Sequence, residues 1–264
     1  MDNGAINFGN ITEYLDTTQV LLYAFWAFFF YLIFYLVQEG KREGYPLTTD
    51  SLDPGSRQVL TGDTFFPEPK TFVLADGSSV MAPDAQTADK RKLNAQALAN
   101  TTGYPIEPTG DPMVAGVGPG SSAERKNIPD MTVGGAPKII PMRVAEGFGV
   151  DENDPDPRGM SVVGADGVAA GTVADLWIDT PEHLIRYLEV DVGGGKRALF
   201  PFALAVVDGD SREIKVQSLM SHHFANAPGL SDPNQVTRLE EEKIYGYFGA
   251  GTLYASPDRA EPFL

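Results

Sequence analysis

Val20–Val37 reads VLLYAFWAFFFYLIFYLV, and the reading of these 18 residues decides the architecture. The run holds no charge, no Gly, no Pro and no strongly polar group. As a helix it would be about 27 Å long, close to the hydrocarbon thickness of a bilayer. It is apolar on all sides rather than striped, which excludes an amphipathic surface helix. A signal peptide needs a basic start and a small-residue cleavage site. Here Asp2, Glu13 and Asp16 precede the run, no Lys or Arg does, and no such site follows Val37. A buried core helix would be unusually long at 18 unbroken apolar residues. The segment therefore reads as one transmembrane helix. Nine of its residues are aromatic, Tyr23, Phe25, Trp26, Phe28, Phe29, Phe30, Tyr31, Phe34 and Tyr35, which suits contact with large partners as well as lipid. No G-x-x-x-G signals a tight helix dimer.

Outward from the span, Lys41 and Arg42 follow it and no basic residue precedes it. The positive-inside rule then predicts an outer N-terminus and a cytoplasmic body. The whole chain has 264 residues, a formal charge of −16 and no cysteine. Acidity argues against nucleic acid as a partner, since neutralising phosphates needs clustered Lys and Arg. Absence of cysteine removes disulfides, thiolate zinc sites, iron–sulfur clusters and thiol nucleophiles.

Residues 43–137 carry 11 prolines, in phrases such as FPEPKTF, YPIEPTGDPM and GVGPGSS. Proline removes a donor and fixes φ, so long helices and central strands are not expected there. The short apolar islands are Thr71–Leu74, Ser79–Met81 and Ala95–Leu98, the last within a short helix. Aromatic and aliphatic residues recur between the prolines, which suits an extended segment laid over another surface.

From Pro137 the texture is that of a small β domain. Lys138–Val144, Ser161–Val163, Gly167–Ile178, Leu184–Val192, Arg197–Leu204 and Glu213–Gln217 read as strands. Asp166-Gly167, Gly193-Gly194-Gly195 and Asp208-Gly209 read as turns. Tyr187, Glu189 and Asp191 alternate with Leu188, Val190 and Val192, the pattern of a half-buried antiparallel sheet that a barrel would close. Val236, Leu239, Lys243, Ile244, Tyr247 and Phe248 recur at helical spacing, with Ser231 or Asp232 as cap and Pro233 in the first turn. Glu240, Glu241 and Glu242 read mostly as a solvated face of that helix.

Catalytic templates fail. Gly193-Gly194-Gly195-Lys196 lacks the spacing and the Ser or Thr of a phosphate loop. Asp151–Asp156 has Pro155 where a calcium loop does not tolerate it. His222 and His223 would point to opposite faces of a strand. No H-E-x-x-H or G-x-S-x-G occurs. The residues alone leave a membrane-anchored accessory protein, with an adaptor or an anchored enzyme of divergent site as alternatives.

An ordered set of phrases resembles the H subunit of the photosynthetic reaction centre of purple bacteria. It runs through Arg42-Glu43-Gly44-Tyr45-Pro46-Leu47, Pro69-Lys70-Thr71-Phe72, Pro108-Thr109-Gly110-Asp111-Pro112-Met113 and Gly116-Val117-Gly118-Pro119. It continues with Lys138-Ile139, Pro141-Met142, Asp175-Leu176-Trp177-Ile178-Asp179, Pro181-Glu182, Arg186-Tyr187-Leu188-Glu189-Val190 and Leu239–Tyr254. The resemblance implies a single transmembrane helix plus a mainly β, antiparallel, PRC-barrel-like cytoplasmic domain with a C-terminal helix. The implied division is a periplasmic tail 1–16, the membrane helix 17–38, a Pro-rich segment 39–136, the barrel-like domain with its helix 137–249, and a tail 250–264.

It further implies a non-catalytic subunit of the bacterial inner, intracytoplasmic membrane. Such a chain caps the L and M subunits, supports assembly and conducts protons to the secondary quinone. Bacteriochlorophyll, bacteriopheophytin, quinones, carotenoid and non-haem iron belong on L and M, and none is ligated by this chain. Membrane lipids, a light-harvesting ring and a bound cytochrome are the further implied partners. By motif matching Glu182 is the relay carboxylate, Asp179 shares its charge and Arg186 tunes both, with Glu241 in the same network. The family's Asp-x-His-x-His surface cluster is replaced here by Thr132-Val133-Gly134-Gly135-Ala136, which cannot titrate, and Asp130 is the nearest acid. His183, beside Glu182, is the expected substitute.

Overall fold

The computed structural model describes residues 16–43, 47, 49, 51–53, 56, 58, 66–84, 91–99, 101 and 103–259. All of the expected outer tail but Asp16, the Gly44-Tyr45-Pro46 part of the resemblance and the last five residues lie outside them. The chain forms two compact units that divide at Lys92/Leu93.

In the first unit α1 spans Thr17–Gly40, and Asp16 caps it by accepting from the Gln19 amide at 2.7 Å. None of its residues is buried, so its apolar surface faces outward on every side. Aromatic rings stack at four-residue steps, Phe25 on Phe29 and Trp26 on Phe30. Beyond the helix β1 (Lys70–Val73) and β2 (Ser79–Ala82) form an antiparallel hairpin. Glu39 ties helix to hairpin: Arg42 Nε lies 2.8 Å and Lys70 Nζ 2.7 Å from its carboxylate. Arg42 also donates to the carbonyls of Glu68 and Ala82, so the chain leaving the helix is fixed at once.

The second unit opens with a two-stranded pair, β3 (Ala95–Ala97) with β4 (Ile106–Pro108). This corrects the short helix expected at Ala95–Leu98. The Asn94 and Pro105 carbonyls accept from Thr109 and Leu98, which extends the ladder beyond both ends. Then follow β5 (Ile139–Pro141), β6 (Ser161–Val163), β7 (Ala169–Asp179), β8 (Leu184–Asp191), β9 (Arg197–Pro201), β10 (Ala205–Asp208) and β11 (Glu213–Val216). The strand path is β10-β11-β6-β7-β8-β9, antiparallel except β11 with β6. Were the sheet flat, five interstrand steps would separate β9 from β10 by about 24 Å. Yet Pro201 and Ala205 are joined by one turn, Phe202–Leu204, which reaches at most about 15 Å. The sheet must curl on itself, as a barrel does. β5 adds to the far half of β7.

That turn also corrects the expected strand Arg197–Leu204, which ends at Pro201; β10 lies beyond it and was not anticipated. Likewise Lys138–Val144 is a strand only to Pro141. The Gly193–Gly195 hairpin is as expected, with positive φ at all three glycines.

The helix α2 spans Arg238–Tyr254, and Thr237 rather than Ser231 or Asp232 caps it. Thr237 and Glu240 exchange bonds in a capping box, while Ser231 is bonded to the Glu240 carboxylate from outside. The helix runs past 249 to Tyr254. Its buried face, with Ile244 and Phe248, packs into a core of Trp177, Leu188, Phe200 and Phe224. Each such side chain fully buried contributes about 1.5–3 kcal/mol. Its small residues admit the Gly118–Gly120 turn: a Cβ on Gly249 would stand 2.4 Å from the Pro119 carbonyl oxygen.

Candidate functional site

The turn from β7 to β8 carries Asp179, Thr180, Pro181, Glu182 and His183. Asp179, the last residue of β7, is buried at 2% exposure. Its Oδ1 accepts from the Glu182 amide at 3.2 Å, which closes the turn and leaves the Glu182 side chain exposed at the tip. Arg186 returns to the same carboxylate, Nε 3.7 Å from Oδ2.

A β-bulge aims Arg186. Trp177 pairs with Tyr187 and Ile178 with Ile185, so Arg186 is the extra residue on β8. Asp179 and Arg186 therefore pair at the base of one turn, and Glu182 joins Asp179 through its backbone amide. His183 does not join them. It adopts φ 56°, and its ring packs edge-on against Phe148 at 5.2 Å.

Glu241 lies on the first turn of α2, half-buried, and its Oε2 accepts from the Tyr187 hydroxyl at 2.7 Å. A cavity of about 310 Å³ opens beside it, lined by Arg125, Asp130, Arg186, Arg238, Glu241, Glu242 and Tyr245. Arg186 thus borders the cavity and pairs with Asp179 as well. The acids of this recess are held differently. Arg238 bonds to Asp130, with Lys138 Nζ 3.3 Å away, and chiefly Arg238 holds its carboxyl below the usual range. Glu242 sits 2.6 Å from Arg125 Nε and accepts from the Ala123 amide. Burial pushes Glu241 up, and the Tyr187 bond and the more distant Arg186 oppose this without cancelling it. The three glutamates are therefore not the solvated face expected.

A second cavity of about 460 Å³ lies along Arg143, Trp177, Glu189, Arg197, Leu230 and Pro233. Glu189, expected on an outer face with Tyr187, is instead 5% exposed, and Tyr187 is 1% exposed. β8 is central and covered on both sides. Trp177 Nε1, Arg143 Nη1 and Arg197 Nη1 all donate to Glu189, at 2.8, 2.6 and 2.6 Å. Burial pushes Glu189 up, but these three bonds outweigh it and its carboxyl lies below the ordinary value. Arg143 also bonds Asp175, Pro233 and Asn234, fastening the 230–234 loop to the sheet.

His222 and His223 sit on the 3-10 turn Ser221–Asn226, not a strand, with ring centroids 4.0 Å apart. Among the described residues no group of three or more His, Asp or Glu side chains is placed to hold a metal ion.

Sequence reasoning missed Tyr187, Arg125, Arg238 and Tyr245 as neighbours of Glu241. Tyr187 stood inside the quoted Arg186–Val190 motif, but only the fold shows what its hydroxyl meets.

The family described as photosynthetic reaction centre, H-chain N-terminal region, matches residues 9–144, more than half of the chain. This chain belongs to the photosynthetic reaction-centre H-chain family. A second family, the PRC-barrel domain, matches residues 150–222, which span β6 to β11 and the turn after them. The curled sheet is thus a PRC barrel, and α1, whose most apolar 18 residues have a mean hydropathy of 2.3, is the one helix among the described residues long and apolar enough to cross a membrane, as befits a single-pass chain of this family.

Proposed function

We propose that this chain caps the L and M subunits of a bacterial reaction centre on the cytoplasmic side. There it supports assembly and conducts protons to the secondary quinone, without catalysing a reaction itself. Lys41 and Arg42 at the inner end of α1 support that orientation. L and M hold the bacteriochlorophyll, bacteriopheophytin, quinones, carotenoid and non-haem iron; lipid surrounds α1.

The observation that carries the proton-conducting role is the Asp179–Glu182–Arg186 constellation in a chain of this family. Reducing a quinone to a quinol takes two electrons and two protons. A dry apolar cap would block the protons, whereas carboxylates bind and release them. Glu182, exposed at the tip of the turn, is the group a covering subunit would meet. Asp179 behind it accepts from the Glu182 amide, and Arg186 Nε lies 3.7 Å from the same Asp179 carboxylate.

Purification through a tag on this chain tests membership of the complex. The reading expects one-to-one recovery with pigment-binding subunits and near-infrared absorption. Recovery of pigment-free protein would favour an adaptor that uses the same barrel without photochemistry.

A further inference from the structure

We propose that the β1–β2 hairpin is a second membrane contact, lying in the headgroup layer beside the end of α1 with Phe72 and Val80 turned into the lipid. This contact goes beyond the function above and needs only that α1 spans the bilayer.

Depth follows from the ties between hairpin and helix. Lys70, the first residue of β1, places Nζ 2.7 Å from Glu39 and 5.9 Å from the centroid of the Tyr35 ring. Tyr35 belongs to the apolar run and lies one turn, about 6 Å, deeper along α1 than Glu39. A lysine whose stem runs over a ring of the span while its ammonium meets a carboxylate at the helix end is snorkelling at an interface. Arg42 fixes the rest of the hairpin base. Its Nη1 donates to the Glu68 carbonyl just before β1 and to the Ala82 carbonyl at the end of β2. Both strands are therefore held at the level where α1 leaves the hydrocarbon.

The surface of the hairpin fits that level. It pairs with no other strand among the described residues, and two strands alone are marginal in water. Yet Phe72 is 42%, Val73 77%, Val80 43% and Met81 54% exposed. Register decides which side meets lipid. Phe72 pairs with Val80 and Lys70 with Ala82, so these four share one face; Thr71 with Met81 and Val73 with Ser79 form the other. The face that carries Lys70 is the one that reaches back to Tyr35, so Phe72 and Val80 look toward the membrane. The tip stays polar: Asp76 accepts from the Ser78 amide at 2.9 Å and from its hydroxyl. An apolar side between a charged base and a polar tip matches a boundary layer about 5–10 Å deep.

The chain has no cysteine, so Phe72→Cys, Val73→Cys, Ser79→Cys and Val80→Cys each take a single fluorescent label. The full chain, as purified from membranes, is reconstituted into phosphatidylcholine–phosphatidylglycerol vesicles. Each label is then quenched from the acyl chains by a brominated lipid, or from water by iodide. Labels in Phe72→Cys and Val80→Cys are expected to be quenched several-fold more by the lipid than by iodide, and those in Val73→Cys and Ser79→Cys the reverse. Iodide quenching at all four positions overturns the membrane contact. So does shielding of Phe72→Cys and Val80→Cys from both quenchers, which would put a protein partner on this face. Lipid quenching at all four overturns the assignment of faces. Glu39→Gln, which frees Lys70, is expected to lower the lipid-to-iodide ratio of Val80→Cys several-fold. An unchanged ratio overturns the tie to α1 as what sets the depth. Should Phe72→Cys disturb the hairpin, Val80→Cys reads the same face from the other strand.

Discussion

Arg143→Met removes the hub of the buried ionic network beneath the 230–234 loop. In the native protein Arg143 Nη1 stands 2.9 Å from Asp175 and 2.6 Å from Glu189, whose side chains are 8% and 6% exposed. Breaking a buried pair by deleting one partner costs about 3–5 kcal/mol. Arg143 is 33% exposed, and Arg197 and Trp177 still hold Glu189, so a loss of about 2–3 kcal/mol is expected. In urea this lowers the unfolding midpoint by about 1 M at a slope of about 2 kcal/mol per M.

The pH dependence separates charge from clamping. Glu189 lies below its ordinary value of 4.5, so it contributes stability that is present above that pH and lost on acidification. Without Arg143 one of the three lowering bonds is lost and Glu189 moves back up toward its ordinary value. Its contribution above that pH then shrinks. The gap between native and variant protein is therefore widest near neutrality and narrows below about pH 4.5. Trp177 reports unfolding by fluorescence in the full chain in detergent, with Trp26 replaced by Phe. An equal gap at pH 4 and pH 7 would refute the electrostatic reasoning, and no gap at all would refute the network's contribution.

Gly249→Ala should cost about 1–3 kcal/mol, because its Cβ would meet the Pro119 carbonyl oxygen at 2.4 Å. Gly229→Ala, with nothing within 4 Å of its Cβ, should be near neutral in the same urea titration. Thr237→Ala removes the α2 cap and should cost about 1 kcal/mol, with Thr237→Ser restoring most of it by thermal denaturation. Glu241, raised by burial, favours the fold at low pH and loses that contribution as pH rises through its folded value. Glu241→Gln should thus flatten the stability profile and equal or exceed the native protein at pH 8, as read by circular dichroism.

The sheet was legible where residue pattern and turn chemistry agree. Ser161–Val163 and the Gly193–Gly195 hairpin needed only β-branched runs and turn glycines. β10 was hidden because a 3-10 turn at Phe202–Leu204 is as apolar as the strands it joins. The burial of Tyr187 and Glu189 was hidden because alternation assumes one wet face, whereas β8 is covered on both. The site was legible in part. Asp179, Glu182 and Arg186 lie within eight positions and carry a family motif. The bulge that frees Arg186 has no sequence mark. Nor has the Tyr187–Glu241 bond, across 54 positions, or the Arg238–Asp130 pair, across 108, since such partners are chosen by how the helix lies on the sheet.

The most direct test of the account is the rate of the second, proton-coupled electron transfer to the secondary quinone in the intact complex, native against Glu182→Gln. The account expects the first transfer to be nearly unchanged and the second to slow markedly, more so as pH rises and protons become scarce. An unchanged second transfer, with the variant chain present in full stoichiometry, would contradict it.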